Sequence, residues 1–376
     1  MANTNPRVAF FIGSFGGGGI ERITARLAHS FVKLGVDIDL ILNRDETTHL
    51  WRMPTETRII NLKAPNLYMS LPGLVRYIKQ ERPHALLAAD HYLNEIALLS
   101  KRIAGVPLNL VVAEHNQLSK TARNATNLKR KLAPIFARFL YPWADGIVAV
   151  SEGVAQDLAR TASLPLESIQ TIYNPVINEE MLMSAKEPLE HPWFNSSDVP
   201  VILGVGKLEA QKDFPNLIRA FAKVRQVRPA RLVILGWGPD RPELEALIQE
   251  LGLQEDVDLP GYTQNPYSYM ARSAVFVLSS AWEGLPTVLI EAMALGTPVV
   301  STDCESGPSE ILANGKYGYL TPVADSEALA DSILQVLAGN PKPVDTQWLD
   351  QFGLEMATSK YFSILGINKA YSITNS

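Results

Sequence analysis

Val8-Ala-Phe-Phe-Ile-Gly-Ser-Phe-Gly-Gly-Gly-Gly-Ile-Glu21 runs a short apolar stretch into four consecutive glycines and then into a helical pattern. Glycines there let backbone N–H groups approach an anion at the start of a helix. The stretch is not a dinucleotide fingerprint, because the third glycine of G-x-G-x-x-G would fall on Glu21 or Arg22. No G-x-x-x-x-G-K-[ST] loop occurs in the chain. Four more runs rich in Val, Ile, Leu or Ala follow: Ile38–Leu42, Ala85–Ala89, Leu108–Ala113 and Ile147–Val150. They read as strands buried on both faces. Helical patterns lie near 19–34, 71–81, 92–104, 126–141 and 152–162. Strands alternating with helices define a doubly wound α/β sheet.

The alternation breaks at 174–200, where Pro175, Pro188, Pro192 and Pro200 accompany Asn195 and Asp198. It restarts with Val201–Val205, Leu232–Leu235, Val257–Leu259, Val275–Leu278 and Pro298–Ser301, with helices near 213–227, 241–251, 286–295 and 325–338. The expectation is two Rossmann-like domains, 1–175 and 199–352. Residues 176–198 would be a linker, and a final helix in 353–376 would return to the first domain. Ligands of open parallel sheets sit beyond the strands' carboxyl ends. Two such domains in tandem would turn those ends toward one cleft.

The 376 residues suit two domains, and 47% hydrophobic with 19% charged residues excludes disorder and coiled coil. No apolar run reaches the roughly 20 residues of a spanning helix, and the amino terminus lacks a signal peptide's features. One cysteine, Cys304, excludes a disulfide framework and suits the cytoplasm. Residues 1–180 hold 20 basic and 16 acidic side chains, and 181–376 hold 14 and 23. That balance argues against nucleic acid as a partner and makes the first half the side for an anionic one. Asp37-Ile-Asp39 alternates along a strand and reads as surface rather than as a metal site.

The chemistry gathers after the strands. Glu114-His115-Asn116 follows one strand, Gly206-Lys207-Leu-Glu-Ala-Gln-Lys212 another, and Gly236-Trp-Gly-Pro239 a third. Lysines in a glycine-bearing loop suit phosphate oxygens. Then comes Glu283-Gly-Leu-Pro-Thr-Val-Leu-Ile-Glu291. Pro286 fits a first helical turn, whose free N–H groups form an anion site. Glu283 precedes that site, and Glu291 lies one turn in, on the face of Thr287. Carboxylates accept from paired sugar hydroxyls, so this arrangement fits a nucleotide sugar.

With these residues the sequence resembles the retaining family 4 glycosyltransferases of the GT-B fold, along nearly its whole length. Glu283 and Glu291 match the family's E-x7-E motif, Gly206 to Asp213 its phosphate loop, Gly18-Gly19-Ile20-Glu21 its amino-terminal glycine loop, and Glu114-His115-Asn116 its strand-end His motif. The resemblance implies that Gly18, with Gly19, meets the donor phosphates and that His115 faces the donor sugar. Lys207 and Lys212 would hold the diphosphate, Glu283 the sugar and Glu291 the ribose. Gly206, Gly236, Gly284, Leu285, Pro286 and Thr287 would frame the nucleotide. The family usually carries Arg where Lys207 stands; Lys keeps the charge and loses the bidentate fork. The run Asp303-Cys-Glu-Ser-Gly-Pro-Ser-Glu-Ile-Leu312 is similar to one in bacterial enzymes that extend undecaprenyl-diphosphate-linked sugars. The implied donor is a UDP-sugar, no cofactor or metal is required, and front-face departure retains the anomeric configuration. Nothing near Gly236–Pro239 or Gly261–Thr263 distinguishes uracil from guanine.

Between Glu114 and Asp145 there is no acidic residue but six basic ones: Lys120, Arg123, Lys129, Arg130, Lys131 and Arg138. Leu132, Ile135, Phe136, Phe139, Leu140 and Trp143 interleave with them. A basic amphipathic helix with aromatics suits an anionic membrane surface, and its charges also suit a lipid-linked diphosphate acceptor. The expected location is peripheral, on the cytoplasmic face of the plasma membrane. Two other activities share part of the pattern. A GT-B nucleotide-sugar epimerase would act without an acceptor. A glycoside hydrolase would use paired carboxylates, but Glu291 inside a phosphate-binding helix is poorly placed as a nucleophile.

Overall fold

The structure is a computed structural model that describes residues 5–15, 19–43, 49–123, 128–195 and 198–367. The chain forms two compact units: one runs up to Pro175 and includes the segment from Gly353 onward, and the other is Val176–Phe352.

The first unit is built on a seven-stranded parallel sheet. Its strands are β1 (Arg7–Ile12), β2 (Asp37–Leu42), β3 (Arg58–Asn61), β4 (Ala85–Ala89), β5 (Asn109–Glu114), β6 (Gly146–Ala149) and β7 (Ile169–Thr171), in the order β3-β2-β1-β4-β5-β6-β7. The switch between β1 and β4 is the point where such sheets receive ligands. The helices are α1 (Gly19–Lys33), α2 (Leu71–Glu81), α3 (His91–Ala104), α4 (Leu118–Arg123), α5 (Leu128–Leu140) and α6 (Glu152–Ala162). Central strands are buried almost throughout, as β4 is at all five residues. The C-terminal helix, Leu354–Ile364, packs on this unit. Phe362 meets Phe31 of α1 edge-on at 4.7 Å, and Thr358 bonds Ser30 at 2.9 Å. A Cβ on Gly146 would come within 2.6 Å of Ile364 Cγ1, so a side chain there would force the helix away from the sheet.

The second unit holds a six-stranded parallel sheet of β8 (Val201–Val205), β9 (Arg231–Leu235), β10 (Val257–Gly261), β11 (Val275–Leu278), β12 (Val299–Thr302) and β13 (Tyr319–Thr321), ordered β10-β9-β8-β11-β12-β13. Its helices are α7 (Glu179–Ser184), α8 (Phe214–Val227), α9 (Arg241–Glu250), α10 (Tyr267–Met270), α11 (Thr287–Ala294), α12 (Pro308–Ile311) and α13 (Ser326–Leu337).

Three strands fall outside the sequence expectation, β3, β7 and β13, and each is a sheet edge of three or four residues. An edge strand is half-solvated and lacks the continuous apolar run of a central one. The helix expected over 126–141 is α5, with α4 separate before it. Residues 176–198, expected as a linker, contain α7 and, among those described, are tied to the second unit. Asn265 Nδ2 donates to Ser184 O at 2.8 Å, and Arg272 donates to the carbonyls of Ala185 and Glu187 at 3.0 and 2.9 Å.

The surface reading of Asp39 is overturned. Asp37 is exposed, but Asp39 is 1% exposed. Arg58 holds its carboxylate with two bonds of 2.9 and 2.6 Å, and Tyr77 Oη donates to it at 2.5 Å. A buried carboxylate is stable only with such partners. They lie on β3 and α2, far along the chain.

Candidate functional site

In the second unit the motif residues converge at the carboxyl ends of β8, β9 and β11. The loops after β8 and β9 interlock through their glycines. Gly206 N donates to Leu235 O at 3.0 Å, and Leu208 N donates to Trp237 O at 2.9 Å. A Cβ on Gly236 would lie 1.8 Å from Gly206 O, and Gly236 has φ +149°. Gly206 in turn lies against the Lys212 stem, where an added Cβ would be 3.1 Å from its Cγ and Cε. These glycines let two backbones and a lysine share one space.

Lys212 Nζ contacts Glu283 Oε1 at 2.6 Å. The same oxygen accepts from Ser280 Oγ at 2.6 Å, and Gln211 Nε2 reaches Oε2 at 3.4 Å and Trp282 O at 3.0 Å. Glu283 is 7% exposed. Its charge is balanced by Lys212, and its position is fixed by groups from two loops. Lys207, by contrast, is half-exposed. It pairs with Glu209 and stands 5.5 Å over the Trp237 ring. Trp237 is largely exposed.

Pro286 is the N-cap of α11, with ψ +91°, so it stands one residue before the helix and not in its first turn. The helix begins at Thr287. An α-helix leaves its first amides without intrahelical acceptors, so Thr287 and Val288 keep their anion-binding capacity. Glu291 is buried one turn inside α11. The loop before α12 braces this entry: Ser306 Oγ donates to Gly284 O at 2.7 Å, and Gly307, at φ +96°, would place a Cβ 2.3 Å from Pro286 Cδ. The Cys304 thiol is buried, and burial with the nearby Glu283 carboxylate pushes its pKa up to about 12. It is an uncharged thiol at neutral pH.

In the first unit, Gly18 lies outside the described residues, and Gly19 opens α1. A pocket of about 370 Å³ lies at the β1–β4 switch point, lined among others by Gly13, Ser14, Gly19, Glu21, Asp90 and Leu93. His115 follows β5. Burial pushes its pKa down to about 4 against the pull of Glu114, so the ring is neutral at pH 7. The preceding Glu114 is buried in a network with His91, Asn94 and Tyr141. Reading the sequence from the strand ends finds Glu114 but passes over Asp90-His91 after β4, where the same rule applies.

Two family models match the chain: "Glycosyltransferase Family 4" over residues 17–180 and "Glycosyl transferases group 1" over 186–347. The chain belongs to the family 4 glycosyltransferases. It is similar to the N-acetylgalactosamine-N,N'-diacetylbacillosaminyl-diphospho-undecaprenol 4-alpha-N-acetylgalactosaminyltransferase of Campylobacter jejuni, at 31% identity over 88% of this chain and 90% of that one. It is also similar to the amylovoran biosynthesis glycosyltransferase AmsD of Erwinia amylovora, at 25% identity over 85% and 87% of the two chains. Among solved structures, Anabaena Alr3699/HepE in complex with UDP superposes with a TM-score of 0.77 at 19% identity, over 96% of this chain and 99% of that one. Sucrose-phosphate synthase from Thermosynechococcus elongatus gives 0.79 at 19%, over 96% and 98%. These likenesses establish the GT-B fold.

Proposed function

We propose that this glycosyltransferase moves a hexosyl or N-acetylhexosaminyl group from a UDP-sugar to a hydroxyl of a polyprenyl-diphosphate-linked glycan, with retention, in cell-surface glycan assembly. One observation carries the reading. A buried Glu283, paired with a partly buried Lys212, stands just before the amino end of α11, and Glu291 lies one turn inside that helix. The amides of Thr287 and Val288 and the ammonium of Lys212 would meet charge developing on the departing diphosphate. Preorganised donors of this kind are usually the largest catalytic contribution. Lys207 would join them by leaving Glu209. Glu283 would accept from a donor-sugar hydroxyl while keeping Ser280 and Lys212, and Glu291 would take the ribose diol. His115, neutral at pH 7, can donate or accept a hydrogen bond at the sugar without adding charge. The pocket at the β1–β4 switch, with Asp90 and Glu21 on its wall, suits hydroxyls of an acceptor sugar.

The activity for which the Campylobacter relative is named, an α-transfer to a diphospho-undecaprenol-linked sugar, supports the acceptor class and the α outcome. Incubating the protein with a UDP-N-acetylhexosamine and a polyprenyl-diphosphate disaccharide tests both. The expected product has an α-anomeric proton coupling in its first NMR spectrum, and EDTA leaves the initial rate unchanged. A β product, or a rate abolished by EDTA and restored by Mg2+, contradicts the mechanism.

An anionic membrane surface is the proposed docking partner. Among the described residues no helix is long and apolar enough to cross a membrane. On α5 the small residues Ala133 and Ala137 are buried, whereas Ile135, Phe136 and Phe139 are 52%, 45% and 66% exposed. Lys131 and Arg138 are exposed on the same helix, and Arg123 at the end of α4; the side chains of Lys129 and Arg130 lie outside the described residues. Large apolar groups in water beside bases favour insertion at a lipid headgroup boundary. Phe136→Ser with Phe139→Ser should abolish most sedimentation with phosphatidylglycerol vesicles and leave activity on a short water-soluble acceptor intact. Unchanged sedimentation would remove α5 from the interface.

A further inference from the structure

The network behind β5 is more elaborate than a strand end requires. Glu114 Oε1 accepts from Tyr141 Oη, from Asn94 Nδ2 at 3.3 Å and from His91 Nδ1 at 3.3 Å. His91 Nε2 faces a second carboxylate, Glu95 Oε1, at 3.0 Å. All five residues are at most 7% exposed. A carboxylate facing each ring nitrogen favours the protonated imidazole, so His91 is a cation lodged between two anions. Burial alone would strip its proton; the carboxylates of Glu114 and Glu95 together outweigh that and raise its pKa to about 10.

The network also grips the backbone. Asn94 Nδ2 donates to Ala113 O at 3.0 Å, and Val150 N donates to Glu114 O at 3.1 Å. The two residues just before His115 are therefore fixed from α3, from β6 and from the turn after α5. Keeping a buried carboxylate is costly when an apolar residue could fill the same space. A reason to keep one is that it holds the next residue in a set position and orientation.

We propose that Glu114, anchored by His91, Asn94 and Tyr141, is a positioning residue that acts through His115 by fixing where that ring stands for sugar transfer. This rests on the transferase reading above. The pairs are intramolecular within one unit, so the inference does not depend on how the two units meet.

The test is a double-mutant cycle. Tyr141→Phe removes the hydroxyl that donates to Glu114, accepts from Asn94 Nδ2 at 3.1 Å and lies 3.3 Å from His91 Nδ1, and it leaves the ring in place. It should lower kcat by about tenfold, short of the roughly 10²-fold that a 1 Å misplacement can cost, with UDP affinity unchanged. In a His115→Ala background the same substitution should cost nothing further, because residues acting through one another are not additive. If Tyr141→Phe impairs folding, Glu114→Gln, which keeps the shape, takes its place. An equal loss of kcat in both backgrounds would make the network a plain stability element and overturn the proposal, as would no loss in a folded variant. Should wild type transfer no sugar at all, the transferase reading falls, and a crystal structure of Tyr141→Phe decides this inference separately. A displaced or disordered His115 ring supports it, and an unmoved ring contradicts it.

Discussion

Lys212→Met lowers kcat about 10²- to 10³-fold, the usual cost of losing one preorganised contact to a developing oxyanion, and also destabilises the protein. The two losses have different origins and can be separated. Lys212 lies 2.6 Å from Glu283, with side chains 18% and 7% exposed. Removing the cation leaves a buried carboxylate with only Ser280 and Gln211, and an uncompensated buried charge costs about 3–5 kcal/mol. Adding Glu283→Gln cancels that charge and keeps the shape. Lys212→Met/Glu283→Gln should therefore recover most of the denaturation midpoint and none of the activity. If the double variant regains activity along with stability, Lys212 is a structural counter-ion and the diphosphate is stabilised elsewhere.

Gly236→Ala should be as damaging from a single methyl group. The added carbon would lie 1.8 Å from the Gly206 carbonyl oxygen and would sit on a residue at φ +149°. Neither strain can relax locally, because Gly206 N is bonded to Leu235 O and Gly236 N to Gly261 O. The loops after β8 and β9 must separate, carrying Lys207 and Lys212 away from α11. A loss of about 2–4 kcal/mol of stability and of at least tenfold in nucleotide affinity is expected from denaturation and calorimetry. Gly252→Ala is the control: its φ is also positive, at +67°, but no atom stands within 4 Å of an added Cβ. It should show only the cost of the left-handed backbone. Equal effects at the two glycines would refute the argument from close approach.

The central strands, the two sheets and the residues at the strand ends were legible because burial on both faces imposes an uninterrupted apolar run. The motif from Glu283 to Glu291 was legible for a related reason: both carboxylates and the helix start are local in sequence. What escaped lies in which side chains pair. Asp39 reads as surface by alternation, yet its partners Arg58 and Tyr77 come from an edge strand and a separate helix. His91 follows β4 as His115 follows β5, but its importance depends on Glu114 and Tyr141, 23 and 50 residues away. The pairing of Lys207 with Glu209, and its place over Trp237, is a choice of side-chain conformation that spacing cannot reveal. It also bears on the Lys at this position. A single ammonium can leave Glu209 for phosphate, whereas a guanidinium would bind the carboxylate through two bonds.

Binding of UDP, GDP and ADP by calorimetry, in wild type and in Glu291→Ala, tests the nucleotide-sugar reading most directly. Wild type should bind UDP most tightly, and Glu291→Ala, folded and with the Lys212–Glu283 pair intact, should lose at least tenfold of that affinity. A preference for GDP would keep the family and change the donor. No binding of any of the three by folded wild-type protein would contradict the account and leave Glu283 and Glu291 as charges of structural importance only.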